Sequence, residues 1–192
     1  MTEKQSGFSL LELMMVCVVL AIIAALAVPN IQRISISYKL NASGRSVAGL
    51  LQGARIQAVQ TNQPVYVRFD ATQNPNLVFS NFDNSTSYAA GDPETVLSGG
   101  IVFQNGGTVP NPAQLTTYLG GVAVQPAVIG FNGRGLPCYP TGNVQVCSQM
   151  QGAVPAAFEW FIQTAGGGDW EAITVTPAGR VKVWRFDGTN WE

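Results

Sequence analysis

"GFSLLELMMVCVVLAIIAALAVPN", Gly7 to Asn30, is the stretch on which the rest of the reading depends. Phe8 to Val28 is an apolar run of 21 residues. As a helix it would be about 31 Å long, matching the ~30 Å hydrocarbon core of a bilayer. One acid, Glu12, interrupts it near its start. Three readings compete. A cleaved secretory signal would use the small residues Ala25-Leu26-Ala27, but such signals have shorter apolar stretches led by basic charge. Here the leader offers only Lys4 against Glu3. A plain membrane anchor explains the length but not Glu12, which costs on the order of 2–3 kcal/mol if charged deep in lipid. The third reading has a peptidase cut between Gly7 and Phe8. Glu12 then lies one helical turn from a free Phe8 α-amine, in the first turn where the helix dipole favours negative charge. In an assembly of parallel helices, Glu12 would face a neighbour's amine and set the axial register.

These residues carry a resemblance. "GFSLLEL", the apolar run and Pro29 are similar to the N-terminus of type IV pilins and of the pseudopilins of type II secretion. The resemblance implies a prepilin peptidase cutting after Gly7, methylation of the new Phe8 amine, and Glu12 as the assembly residue. It also implies a single-pass inner-membrane protein with its body in the periplasm, joining a filament or its tip. Arg33 and Lys39 follow the run while only Lys4 precedes it, which by the positive-inside rule favours a cytoplasmic body. The resemblance and the cysteines argue the other way, and they are preferred.

The 192 residues suffice for one domain with a core and an N-terminal appendage. Ten basic and eleven acidic residues nearly cancel. They are unevenly spread: Arg33, Lys39, Arg45 and Arg55 lie in an acid-free stalk, and the remainder is mildly acidic. No histidine is present, which removes the commonest general base and the commonest metal ligand. In "CYPTGNVQVC", Cys138 and Cys147 enclose a short loop of turn-formers and read as a disulfide rather than half a zinc site. An oxidised pair places the body outside the cytoplasm.

Beyond Pro29, expected to kink the helix, Val47, Leu50, Leu51, Ala54 and Ala58 recur at three- and four-residue steps. Asn62 and Pro64 are stop signals. One helix is expected from about Phe8 to Gln60. From Pro64 the period becomes two. Strands are expected in "VYVRF", "NLVFSNF", "GIVFQ", "GVAV", "AVIGFN", "FEWFI", "AITVT" and "RVKVWRF", with no second helix and with "GGTVPNPAQ" as a loop. The fold class is therefore α+β: a long N-terminal helix, membrane-spanning in its first half, packed on an antiparallel sheet or small sandwich. The expected organisation is a leader (1–7), a transmembrane and assembly helix (8–28), its amphipathic continuation (29–62) and a β-rich domain (63–192). "QGARIQAVQTNQPVYVRF", "IGFNGRG" and the final "ITVTPAGRVKV" narrow the resemblance to the H-type pseudopilin and FimT-like minor pilin (GspH/FimT) family. Other pilins or pseudopilins, a prepilin peptidase and the inner membrane are the implied partners.

No catalytic set assembles, and no metal or cofactor is expected. Asp169 and Glu171 flank Trp170 at a spacing that shares one strand face, and they read as solvated charges rather than an acid/base pair. In the final hairpin, alternation puts Ile173, Val175, Val181 and Val183 on one face and Arg180, Lys182, Trp184 and Phe186 on the other. Basic and aromatic side chains together suit a nucleic-acid backbone with base stacking. An amphipathic edge strand is the preferred reading. Some FimT-type proteins use Gly-Arg-x-Arg in this hairpin to bind DNA. Here Gly179-Arg180-Val181-Lys182 replaces the last arginine, losing its bidentate fork. DNA binding through Arg180, Lys182 and Trp184 is therefore the alternative, behind a structural subunit, and a membrane-anchored enzyme is a distant third.

Overall fold

The computed structural model describes residues 9–70, 76–104, 109–120, 125–141, 146–151 and 153–192. The chain divides into two compact units, one ending at Ser37 and the other spanning Tyr38–Glu192. Helix α1 runs from Leu10 to Thr61, and its assignment continues through Pro29, so the proline does not end it. The Pro29 side chain, like Gly7 and Phe8, lies outside the described residues. Among the described residues, no helix is long and apolar enough to cross a membrane. The unbroken described stretch of apolar character, Leu10–Ala25, corresponds to about 24 Å of helix. The 21-residue span expected from the sequence also needs Phe8 and Leu26, whose side chains are not described.

In the second unit, α1 ends where the sequence supplies a stop. Asn62 takes the left-handed conformation (φ 53°) that closes many helices, and Pro64 precedes the first strand. The strands are β1 (Val65–Asp70), β2 (Leu77–Asn81), β3 (Glu94–Val96), β4 (Ile101–Gln104), β5 (Val128–Phe131), β6 (Pro137–Pro140) and β7 (Cys147–Ser148). They continue as β8 (Met150–Gln151), β9 (Val154–Pro155), β10 (Phe158–Thr164), β11 (Trp170–Val175) and β12 (Val181–Arg185). One sheet has the order β3-β2-β1-β5-β6-β7, a second β12-β11-β10-β4, and β8 pairs with β9. Every pairing is antiparallel. Seven of the eight expected strand segments fall on strands, and "GVAV" lies outside the described residues. The short β3 and β6–β9 were not expected.

The core lies where α1 meets both sheets. Leu40, Val47, Leu51, Ala54 and Ala58 of α1 pack with Val65, Val67, Val78, Ile129 and Phe131 of the first sheet. They also pack with Phe158, Trp160, Ile162, Ile173 and Val175 of the second. A second cluster, Val109, Leu115, Phe161, Ala172, Trp184 and Trp191, covers the opposite face of β10–β12. It is closed by α2 (Pro112–Tyr118), which corrects the expectation of no further helix. Pro112 occupies the first turn, where a missing N–H costs nothing, and the buried Leu115 anchors the turn.

Candidate assembly and interaction site

One candidate surface is the start of α1. Leu10–Ala25 is exposed at every residue, with large side chains such as Leu10 and Leu11 at 77 % and 70 %. Glu12 stands in the first turn, exposed among them, and Cys17 is a free thiol on the same stretch. A soluble monomer rarely leaves so large an apolar surface uncovered, so this segment is built to meet lipid or other chains.

A separate candidate, within the second unit, is the β11–β12 hairpin. Its register pairs Val175 with Val181, Thr174 with Lys182, Ile173 with Val183, Ala172 with Trp184 and Glu171 with Arg185. Alternation therefore distributes these side chains as the sequence predicts. The aromatic half of the polar face is nevertheless not free. Trp184 is only 9 % exposed, donates from Nε1 to Thr174 Oγ1 (2.9 Å), and meets the Tyr118 ring edge-on at 4.7 Å. Lys182 Nζ lies 3.2 Å from the Trp184 ring centroid, a cation–π contact. Arg180 is exposed.

A residue not singled out from the sequence holds this hairpin in place. Arg55 of α1 donates from Nε to the Gly135 carbonyl and from Nη1 to the Gly179 carbonyl, each at 2.9 Å. Both glycines have positive φ, 72° and 77°. A Cβ on Gly179 would sit 2.6 Å from the Gly135 oxygen and 3.1 Å from Arg55 Nε. The last glycine of "GFNGRG", Gly135, and the glycine of "PAGR", Gly179, are thus explained by close approach around one guanidinium. Those two glycine motifs were the available signal.

Glu171 departs from its reading as a solvated charge. It is 1 % exposed, paired across β10 with Ile162, and lies on the face covered by α1. A Cβ at Gly44 would collide with its carboxylate. Its Oε2 has no hydrogen-bond partner, and burial pushes its pKa up from 4.5 to about 7, against the pull of Arg185 and Arg45 and with a small push from Asp169. Glu159, also buried, pairs with Thr174 and so lies on the other face, where Gln125 Nε2 donates to its Oε1 at 3.3 Å. Burial raises its pKa too. The two buried carboxylates are thus on opposite faces of the sheet. Among the described residues, no cluster of histidine, cysteine or acidic side chains is suited to a metal. Cys138 and Cys147 form a disulfide joining β6 to β7.

Residues 43–179 match the family described as Type II transport protein GspH. The chain belongs to that family. Residues 3–28 match the prokaryotic N-terminal methylation motif, which spans Gly7, Phe8 and Glu12. The fold is that of the type IV minor pilin FimU of Pseudomonas aeruginosa: 14 % identity, TM-score 0.50, over 77 % of this chain and 89 % of that one. The minor pseudopilin EpsH of the Vibrio cholerae type 2 secretion system aligns at 14 % identity and TM-score 0.42, over 76 % and 95 %. No curated protein matches the chain as a relative. This chain accordingly joins a prokaryotic N-terminal methylation motif to a GspH-family body.

Proposed function

We propose that this GspH-family subunit is cleaved after Gly7 by a prepilin peptidase, methylated on the Phe8 amine, and held in the inner membrane by residues 8–28. Residues 29–62 continue that helix into a β-rich body, residues 63–192, on the periplasmic side. On assembly, Glu12 faces the methylated amine of a neighbouring subunit and sets the axial register. The body meets other minor subunits at or near a filament tip. The observation that carries this reading is the lone Glu12 in the first turn of a helix whose described residues are exposed from Leu10 through Ala25. Such a surface requires covering, and an acid there requires a cationic partner. The extracytoplasmic placement is supported by the Cys138–Cys147 disulfide.

We read the chain as non-enzymatic, consistent with buried acids that share no face. DNA capture is the weaker reading because Trp184 is already enclosed by Thr174, Tyr118 and Lys182. Co-expression with a prepilin peptidase should shorten the protein by residues 1–7, read by intact mass. An unchanged mass sinks the cleavage step. Glu12→Ala should leave the body folded yet abolish filament incorporation, and normal incorporation would refute the register role.

A further inference from the structure

We propose that the open edge of β12 accepts an extended segment of another protein, in which apolar residues alternate with acidic ones. The argument begins with main-chain direction. Thr176 N donates to Arg180 O (3.0 Å) and Phe186 N to Trp170 O (3.1 Å), with Thr174–Lys182 and Ala172–Trp184 as the intervening pairs. Residues 180, 182, 184 and 186 therefore turn their main chain toward β11, and Val181, Val183 and Arg185 turn theirs outward. The outward groups of Arg185 are already used: its N–H donates to Glu192 O at 2.8 Å, and its carbonyl accepts from Glu192 N at 2.9 Å. The edge thus pairs with an added strand at one rung, and the residue seated opposite the arginine is an acid. At Val183 and Val181 the outward N–H and C=O have no partner among the described residues.

Side chains define what the next rungs would take. Val181 and Val183 lie on the face covered by α1. There a groove of about 540 Å³ separates the hairpin from α1, with Ile56, Val59 and Val181 among its walls and Arg55 and Arg180 also lining it. Ile56 and Val59 are 57 % and 50 % exposed, although they sit beside a packed core. Partner residues opposite Val183 and Val181 would lay their side chains over this apolar wall. The alternate residues would turn to the other face, where the Lys182 ammonium lies over the Trp184 ring, while the exposed Arg180 lines the groove itself. Main-chain pairing supplies affinity, and the apolar and cationic faces supply the alternation. An exposed strand edge of this kind is otherwise an aggregation liability.

That the strand comes from another filament subunit rests on the proposed function, but the binding itself does not. The test uses the full chain in detergent micelles and a fluorescein-labelled decapeptide of alternating valine and glutamate, read by anisotropy. Two comparators isolate the edge. The same peptide N-methylated at every second amide loses its strand hydrogen bonds. Val183→Pro removes an outward N–H while leaving the ladder to β11, a position at which proline suits an edge strand. Both changes should weaken binding at least tenfold, with the Val183→Pro melting midpoint reporting that the body is folded. If that variant does not fold, Arg180→Glu carries the test and should weaken binding several-fold. Absence of binding by the wild-type chain overturns the proposal. So does equal affinity for the N-methylated peptide, or tighter binding of a 20-nucleotide DNA that displaces the peptide and is itself lost with Arg180→Glu. No outcome depends on cleavage at Gly7 or on Glu12, so the subunit reading is judged separately.

Discussion

Glu171→Gln should stabilise the body at alkaline pH and do almost nothing at acidic pH. Glu171 is 1 % exposed beneath Gly44 of α1, and its Oε2 lacks a hydrogen-bond donor. Burial lifts its pKa from 4.5 to about 7, with Arg185 and Arg45 limiting the rise. Its folded pKa is therefore above its unfolded one. Between those values the native state binds more protons than the unfolded chain, so stability falls as pH rises through that window. Below pH 4.5 both states are protonated and there is no penalty. Above pH 7 both are ionised, and the native state carries the full cost, about 3 kcal/mol from the shift. Glutamine resembles the protonated acid at every pH. The stability difference between variant and wild type should thus grow by about 3 kcal/mol from pH 4.5 to pH 8, most of it between pH 4.5 and 7. For a domain of this size that is a change of roughly 6–12 °C in the melting-point difference.

Among the described residues the buried apolar side chains all lie at Leu40 or beyond, so residues 38–192 carry their own core and suit urea or thermal melts. Glu159 adds its own pH slope, but it lies on the other face of the sheet and cancels in the comparison. Parallel stability curves for the two proteins across pH 4.5–8 would refute the reasoning. So would a glutamine variant that is less stable than wild type at pH 8.

Other perturbations follow from the same packing. Gly179→Ala places a Cβ against the Gly135 carbonyl at a positive φ and should cost about 2–4 kcal/mol in urea denaturation, whereas Gly166→Ala, with no atom within 4 Å of its Cβ, should be close to neutral. Arg55→Ala removes two charged donors from the Gly135 and Gly179 carbonyls and should cost about 2–4 kcal/mol, with Arg55→Lys intermediate because one ammonium does not reproduce the fork. A lysine variant as stable as wild type would exclude the two-carbonyl clamp. Reducing Cys138–Cys147, nine residues apart in sequence, should lower stability by about 3 kcal/mol, measured by melts with and without reductant.

What the sequence made legible was the local period. The three- and four-residue steps from Val47 to Ala58 identify the buried face of α1, and two-residue alternation in "RVKVWRF" assigns each side chain of β12 to its observed face. Helix α2 escaped because seven residues opening on Pro112 offer no periodic window, and the prolines and glycines around it are loop signals. Arg55 escaped for a different reason. The carbonyls it binds lie 80 and 124 residues away, so no local pattern marks the guanidinium. Trp184 was placed on the correct face and read, in preference, as tucked against neighbouring chain; what was not legible is its partner, because Tyr118 comes from outside the hairpin. Glu171 was misread for the same cause: its burial comes from α1, more than a hundred residues earlier, passing above it at Gly44. A glycine inside an otherwise regular helix costs about 1 kcal/mol relative to alanine. Gly44 was therefore a local hint that another group needed the space, and the group it accommodates is the carboxylate whose titration should lower the body's stability between pH 4.5 and 7.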